Sequence, residues 1–366
     1  MKMEAKVNEM LDAVEKVEGV CEAKGTMDIL GHILVNAQPD KVTLTGTNLE
    51  IAITARFMAT VSVPGVVAVP GRKLSEALKK MSKDATVCIE LKGSAVSVVS
   101  ENMRFKIPVG VAADYPKVAM DSSGGQFQVS ESVLSQKFKR SLFAVAKEQS
   151  KPVLSGMLMS LKDGIFILCG TDGKCLSFTK MNAPWKDITF RGIIPTGAVL
   201  EYIRSAKSGS SSKVSIRFSD KSICFEFENL TIMSRLIEGS YPDCERVVPI
   251  EYKATAELSR AEFLNAVNAM SLASGKDNRL TMLFEPEKLV LNSGDGEACT
   301  AAANVPMKYS GAGMQVSLNA GILKDALKSN DAERVVLSVI ESEKPLKLTL
   351  PTDESYTCLI MPLRVA

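Results

Sequence analysis

The sequence predicts an α+β protein of three repeated modules, each with two helices packed on antiparallel sheets. Three observations predict it. A strand–turn–strand signature recurs at 42–50, 165–174 and 289–297, with Asn48 and Asp172 124 residues apart and Asp172 and Asp295 123 apart. A helix opening recurs at Pro70, Pro195 and Asn319, at steps of 125 and 124. Leu30 and Leu154, which precede the first two signatures, are again 124 apart. One period shared by independent landmarks marks a repeat architecture.

The elements follow in the same order in each module. An amphipathic helix comes first, in windows 1–20, 131–151 and 260–271. Its apolar face is Met10, Leu11, Val14 and Val17 in the first module, and Leu134, Phe138, Leu142 and Val145 in the second. In the third it is Phe263, Leu264, Val267 and Met270. All stand at helical spacing. Short alternating strands come next, such as 50–54 and 214–218. A second helix lies near 72–82, 197–207 and 320–329, and further strands close the module. Turn-rich joins near 110–125 and 239–252 give modules at 1–118, 127–249 and 252–366. Asp172-Gly173 and Asp295-Gly296 read as hairpin turns, because no string of oxygen ligands follows them as a calcium loop requires.

Composition excludes several classes of function. The 366 residues are 46% hydrophobic and 23% charged, which suits a globular chain. No apolar run approaches the roughly 18 residues of a membrane span. Met1–Lys6 lacks the apolar stretch of a secretion signal, so a cytoplasmic location is expected. The eight cysteines include no C-x-x-C pair, and the one histidine, His32, sits in an apolar segment. No metal or other cofactor is therefore expected, and the cysteines read as buried free thiols. No glycine-rich phosphate loop occurs. Ser177 and Lys180 match S-x-x-K and would support a serine hydrolase, but the S-D-N and K-T-G elements of such enzymes are missing. No catalytic constellation is expected.

Net charge is +2, so any polyanion partner must be met by uneven charge distribution. The six helical windows hold 18 basic and 11 acidic residues, while the rest of the chain holds 26 and 31. The densest basic clusters are Arg72, Lys73, Lys79, Lys80 and Lys83, then Lys137, Lys139, Arg140, Lys147 and Lys151. Solvated helix faces are the plainest explanation. A phosphate-binding surface is the functional one, because cations there release counterions without reading bases. Few aromatics accompany them, which disfavours single-strand binding. The C-terminal 358–366 segment is strand-like and ends apolar. It reads either as a last core strand or as one wall of a peptide groove with Met361 as an adaptable lining.

The threefold module, Gly170-Thr171-Asp172-Gly173, Leu236–Asp243 and Met361-Pro362-Leu363-Arg364 together resemble the bacterial DNA polymerase III beta subunit, the beta sliding clamps, along the whole chain. The resemblance implies a DNA clamp fold and a head-to-tail homodimer closing a ring around duplex DNA. Such a ring would act as a processivity factor without catalysis. Its partners would be the replicative DNA polymerase, a clamp loader and other proteins carrying a clamp-binding peptide motif, with no membrane involved. By position, the peptide groove would use Leu154, Thr171, Gly173, Leu176, Pro242, Arg246, Val247, Leu359, Ile360, Met361, Pro362, Leu363 and Arg364. The apolar members would bury a partner's Leu or Phe. DNA contacts would include Lys24, Arg72, Lys73 and Lys151. The dimer seam would use Phe105, Ile107 and Leu272. Cys175 stands where the family often has a basic residue.

Overall fold

The computed structural model describes residues 1–366 apart from 22–26, 118–123, 148–150, 208, 276, 295–298 and 364–366. Its contacts divide into two compact units: Met1–Ser132 with Leu200–Leu236, and Val133–Val199 with Ile237–Ala366. Among the described residues there are six α-helices, two per module: α1 (Val7–Glu18), α2 (Gly71–Leu78), α3 (Glu131–Leu142), α4 (Thr196–Ser205), α5 (Arg260–Met270) and α6 (Ala320–Lys328).

All six fall inside or beside the windows that periodicity predicts. The first window starts too early. Residues Lys2–Lys6 form a strand, paired with Thr60–Val63 on one side and Thr86–Lys92 on the other. Met3 and Ala5 are buried while Glu4 and Lys6 are exposed, a period of two that helical spacing downstream obscures.

In the first unit a five-stranded sheet runs Thr60–Val63, Lys2–Lys6, Thr86–Lys92, Ala95–Ser100, Met103–Pro108. An eight-stranded sheet runs Gln126–Ser130, Lys213–Phe218, Ser222–Glu226, Leu230–Arg235, Ile51–Met58, Lys41–Thr47, His32–Gln38, Gly65–Pro70. Module one and part of module two share that second sheet through one antiparallel pairing, Leu230↔Ala55 to Ser234↔Ile51. Helices α1 and α2 pack on each other. Met10, Val14 and Val17 of α1 and Leu74 and Leu78 of α2 are fully buried, together with Ile33, Leu44 and Ile53 from the strands. Each such side chain contributes about 1.5–3 kcal/mol of burial.

The second unit carries one twelve-stranded sheet. Its order is Phe190–Pro195, Gly156–Lys162, Ile165–Thr171, Cys175–Asn182, Asp353–Ile360, Leu346–Leu350, Arg334–Val339, Ala254–Ser259, Thr300–Ser310, Lys288–Gly294, Arg279–Phe284, Met314–Asn319. Here modules two and three join by the equivalent pairing, Cys175↔Ile360 to Thr179↔Tyr356. Phe263 and Val267 of α5 and Leu323 and Leu327 of α6 fill the module-three core with Leu280, Leu289 and Leu337. Asn319 caps α6 by accepting the Ile322 N–H at 3.1 Å, and Ser259 caps α5 by accepting that of Glu262 at 3.4 Å.

The repeat extends to single hydrogen bonds. In module two, Thr171 Oγ1 donates to Cys175 O at 2.7 Å, and Asp172 Oδ1 accepts from the N–H groups of Lys174 and Cys175 at 2.8 and 2.7 Å. In module one, Thr47 Oγ1 donates to Ile51 O at 2.8 Å, and Asn48 Oδ1 accepts from Glu50 and Ile51 at 3.1 and 2.8 Å. The next residue takes positive φ in both turns: Gly173 at 87° and Leu49 at 76°. The third copy of this turn, at Asp295-Gly296, lies outside the described residues.

Candidate functional site

A second apolar cluster, apart from the module-three core, lies in the second unit where the module-two strands meet the end of the chain. Leu154, Leu158, Cys169, Leu176, Phe178, Ile193, Tyr241, Cys244 and Leu359 form its buried part, and Val153, Ile237 and Val248 pack against it. Leu176 and Leu359 face each other across the pairing that joins the two modules. Leu154 comes from the short 3-10 turn Pro152–Ser155.

Above this floor lies a rim that is open to solvent. Pro242, Arg246 and Val247 are exposed, Val247 at 51%, and Met361 is 47% exposed. Gly173 has nothing within 4 Å of where a Cβ would sit, so the turn leaves room beside the floor. Thr171 is buried, its hydroxyl spent on its own turn. The Met361 N–H donates to Lys174 O and that of Leu363 to Ser317 O, both at 2.8 Å, which ties the chain end first to the turn at Gly173 and then to the module-three strand Met314–Asn319. Arg246 pairs with Asp243 at 3.1 Å. The structure thus brings Leu154, Thr171, Gly173, Leu176, Pro242, Arg246, Val247, Leu359, Met361, Pro362 and Leu363 to one region. Ile360 differs from these, for its side chain is fully buried in the module-three core. Arg364 lies outside the described residues.

Tyr241 organises the rim, and residue-type reasoning missed it. Its hydroxyl donates to Gly156 O at 3.3 Å and accepts the Thr171 N–H at 3.1 Å. Burial pushes its pKa up, so it stays a neutral donor. A signal was available, since Tyr115-Pro116 and Tyr241-Pro242 repeat near the module period. Cys169 and Cys244 were missed as well. They are joined in a disulfide with Cα atoms 6.7 Å apart, which corrects the expectation of free thiols for this pair. Bridging needs folding to bring two thiols close with their Cβ atoms turned toward each other, and a separation of 75 residues gave no local sign of it. Cys21, Cys88, Cys175, Cys224, Cys299 and Cys358 are free.

The basic clusters divide sharply. Arg72, Lys73, Lys139, Lys147 and Lys151 are exposed, with Arg72 reaching Glu76 at 3.0 Å. Lys79 pairs with Glu15 of α1 at 2.9 Å, so the acids of the first helix are partly neutralised by the second. Lys137 and Arg140 are buried, at 7% and 5% exposure, and cannot belong to a phosphate-facing surface. Both converge on Asp353, Lys137 at 2.6 Å and Arg140 through Nη1, because the last strand passes under α3. Lys24 lies outside the described residues. Of the seam residues, Leu272 is 89% exposed beyond α5, Phe105 is half-buried, and Ile107 is buried in its own module.

No hydrolytic pair forms. Ser177 donates to Arg140 O at 2.8 Å inside the protein, while Lys180 pairs with Glu245 on the surface at 2.5 Å. The two lie on opposite faces of one strand, since their spacing is odd. Among the described residues no cluster of His, Cys, Asp or Glu could hold a metal ion. No helix there is long and apolar enough to cross a membrane. An apolar floor under an exposed rim of Pro242, Arg246, Val247 and Met361, set in repeated modules, is the build of a protein that holds others.

Comparison with known proteins gives that class its particular family. The DNA polymerase III beta subunit models match the N-terminal domain over residues 1–119, the central domain over 128–243 and the C-terminal domain over 245–364. The beta sliding clamp of Caulobacter vibrioides is 26% identical over 372 residues, with 100% of both chains covered. That of Chlamydia muridarum is 26% identical, covering 100% of this chain and 99% of its own. Among solved structures, a Pseudomonas aeruginosa sliding clamp bound to griselimycin superposes with a TM-score of 0.95 at 24% identity, and a Bacillus subtilis clamp with 0.94 at 23%, each over 100% of both chains. The chain belongs to the DNA polymerase III beta subunit family, the bacterial sliding clamps. It acts as a DNA sliding clamp, a processivity factor in replication with no catalysis of its own, and DNA and polymerase are its partners.

Proposed function

We propose that two copies join head to tail into a ring around duplex DNA in the cytoplasm, and that the cleft around Leu176 and Leu359 takes the short peptide by which polymerase and other partners are tethered. The strand pairings inside each unit carry this reading. Leu230–Arg235 adds to Ile51–Met58, and Asp353–Ile360 adds to Cys175–Asn182. Continuing the repeat, the receiving stretch of module three is 300–306, which among the described residues pairs with Lys288–Gly294 alone while 307–310 already pairs with Ala254–Ser259, and the donor strand of module one is Met103–Pro108. Among the described residues, Met103–Pro108 pairs only with Ala95–Ser100. An unpaired edge of this kind is a template for strand addition. The rule that joins consecutive modules would therefore join one copy's first module to the other copy's third, with Phe105, Ile107 and Leu272 near the seam.

Exposed cations, among them Arg72, Lys73 and Lys151, supply sequence-independent attraction to phosphate, with Lys24 as a further candidate. Topology, rather than affinity, would then keep the ring on DNA, and a clamp loader would open it. In the groove, Leu154, Leu176, Leu359 and Met361 would bury a partner's Leu or Phe, while the turn at Gly173 and Arg364 would hold its backbone or polar end and Thr171, its own groups already paired, would shape that turn. Arg246 and Val247 would close the rim.

Deleting the last five residues tests the groove. Peptide affinity should be lost while the dimer mass is unchanged. Unaltered affinity after truncation would remove the groove from this cleft.

A further inference from the structure

We propose that Cys169 and Cys244 form a reversible dithiol–disulfide site that sets the affinity of the partner groove, with a low-molecular-weight disulfide of the glutathione type as oxidant. The inference rests on this cleft being the partner groove.

The bridge ties together two stretches of backbone that the groove needs in register. Cys169 lies two residues before Thr171 on the floor strand. Cys244 lies two residues after Pro242 and three before Val247, in residues 238–253, which form neither helix nor strand. Few other links hold this rim to the floor. Tyr241 hangs from Gly156 O and the Thr171 N–H, Arg191 Nη2 donates to Tyr241 O at a long 3.4 Å, and the Lys180–Glu245 pair is half exposed and so contributes little. Both sulfurs sit in the apolar cluster with Leu154, Leu176 and Leu359. Opening the bridge therefore loosens the wall against which a partner's side chain would pack.

The first module shows that the bridge is not a requirement of the module fold. Tyr115-Pro116 closes there in the same way, its hydroxyl lying 2.9 Å from Thr45 O and 3.2 Å from His32 O. Thr45 stands where Cys169 stands, 124 residues earlier. The equivalent cleft, lined by Leu34, Thr45, Ala52, Tyr115, Pro116 and Met233, is a cavity of about 510 Å³ without any covalent tie. The cysteine pair thus belongs to the one cleft that continues into the chain end.

The chemistry balances as thiol–disulfide exchange. One cysteine thiolate attacks the small disulfide RSSR and expels RS⁻, leaving a mixed disulfide. The second cysteine then attacks its own partner's sulfur and expels the other RS⁻. Two electrons pass from the cysteines to RSSR, and their two protons leave with the two RSH formed. In a reducing compartment a bridge of this sort acts as a sensor rather than a permanent staple. The closed rim is preorganised for its ligand, so the bridged form binds more tightly. By linkage, bound peptide protects the bridge from reduction by the same factor.

The test uses the full chain and a fluorescent peptide bearing adjacent Leu and Phe side chains. Affinity is measured by anisotropy in buffers of graded glutathione ratio, and the bridged fraction is counted by mass spectrometry after thiol alkylation. The bridged form should bind at least about fivefold more tightly than the reduced one. Saturating peptide should displace the half-reduction ratio by that same factor. A Cys169→Ser, Cys244→Ser double variant should bind with the reduced affinity at every ratio. Equal affinities for the bridged and reduced wild type, or no bridge at any ratio, would overturn the redox site alone. No peptide binding in either state would overturn the groove reading along with it.

Discussion

Asp353 is the point where two cations of α3 are held inside the protein. Burial alone would push its carboxyl pKa up. The hydrogen bonds from Lys137 and Ser355, and the charges of Lys137 and Arg140, outweigh that and bring it down to about 2. Arg140 also lies 5.9 Å over the Tyr356 ring and reaches Asp331 at 3.5 Å. Removing the shared carboxylate leaves buried Lys137 without a carboxylate and buried Arg140 with only the exposed Asp331, which is far costlier than losing a surface pair. Asp353→Asn should therefore lower unfolding free energy by about 3 kcal/mol in urea titrations at neutral pH. The folded carboxyl is depressed below its ordinary value of about 3.9, so its contribution is complete above about pH 5 and is lost as pH falls through about 2. The wild type should lose about 2 kcal/mol over that interval through this group, and Asp353→Asn should not. A variant as stable as the wild type would contradict this account. None of this was legible in the sequence. Lys137 and Arg140 stand in a run of basic residues on a helix with a clear apolar stripe, and their acid lies more than two hundred residues away. Charge counting therefore placed them on the surface.

Hairpins and helices were legible because their signals are local. The Thr47–Leu49 and Thr171–Gly173 turns repeat bond for bond, and the Asp172-Gly173 dipeptide announces the positive φ that Leu49 must adopt without glycine's freedom. The α-helices stand where apolar spacing puts them. Strand partners between modules were not legible, because Leu230–Arg235 meets Ile51–Met58 across 175 or more residues with nothing in either sequence to name the other. The same holds for the Cys169–Cys244 bridge, made by chain brought back from afar, whereas the Tyr241 clasp left one sign, the repeat of Tyr115-Pro116 and Tyr241-Pro242. The Met103–Pro108 edge carries the element-scale prediction. Phe105 is half-buried there, on the edge strand of the five-stranded sheet. Phe105→Arg should give monomers in sedimentation equilibrium, since strand addition would bury an unpaired charge. Intact dimers would mean that the copies meet elsewhere.

Across the whole molecule, one module written three times explains both the sheets and the helices. Each copy leaves a strand edge that the next copy covers, and each adds two helices; Arg72 and Lys73 on α2 and Lys139 on α3 are exposed cations, and the exposed Lys147 and Lys151 follow α3 in the chain. With a net charge of only +2, attraction to DNA must be modest and easily screened by salt. Tight or sequence-specific contact would oppose sliding, so weak phosphate contacts suit a tether held by topology. The decisive measurement is retention on DNA before and after a cut. Protein loaded onto nicked circular DNA should stay bound through gel filtration at moderate salt and be released when a restriction enzyme linearises the circle. Retention on the linear form, with its ends free, would show binding to the surface of the duplex and contradict the encircling clamp.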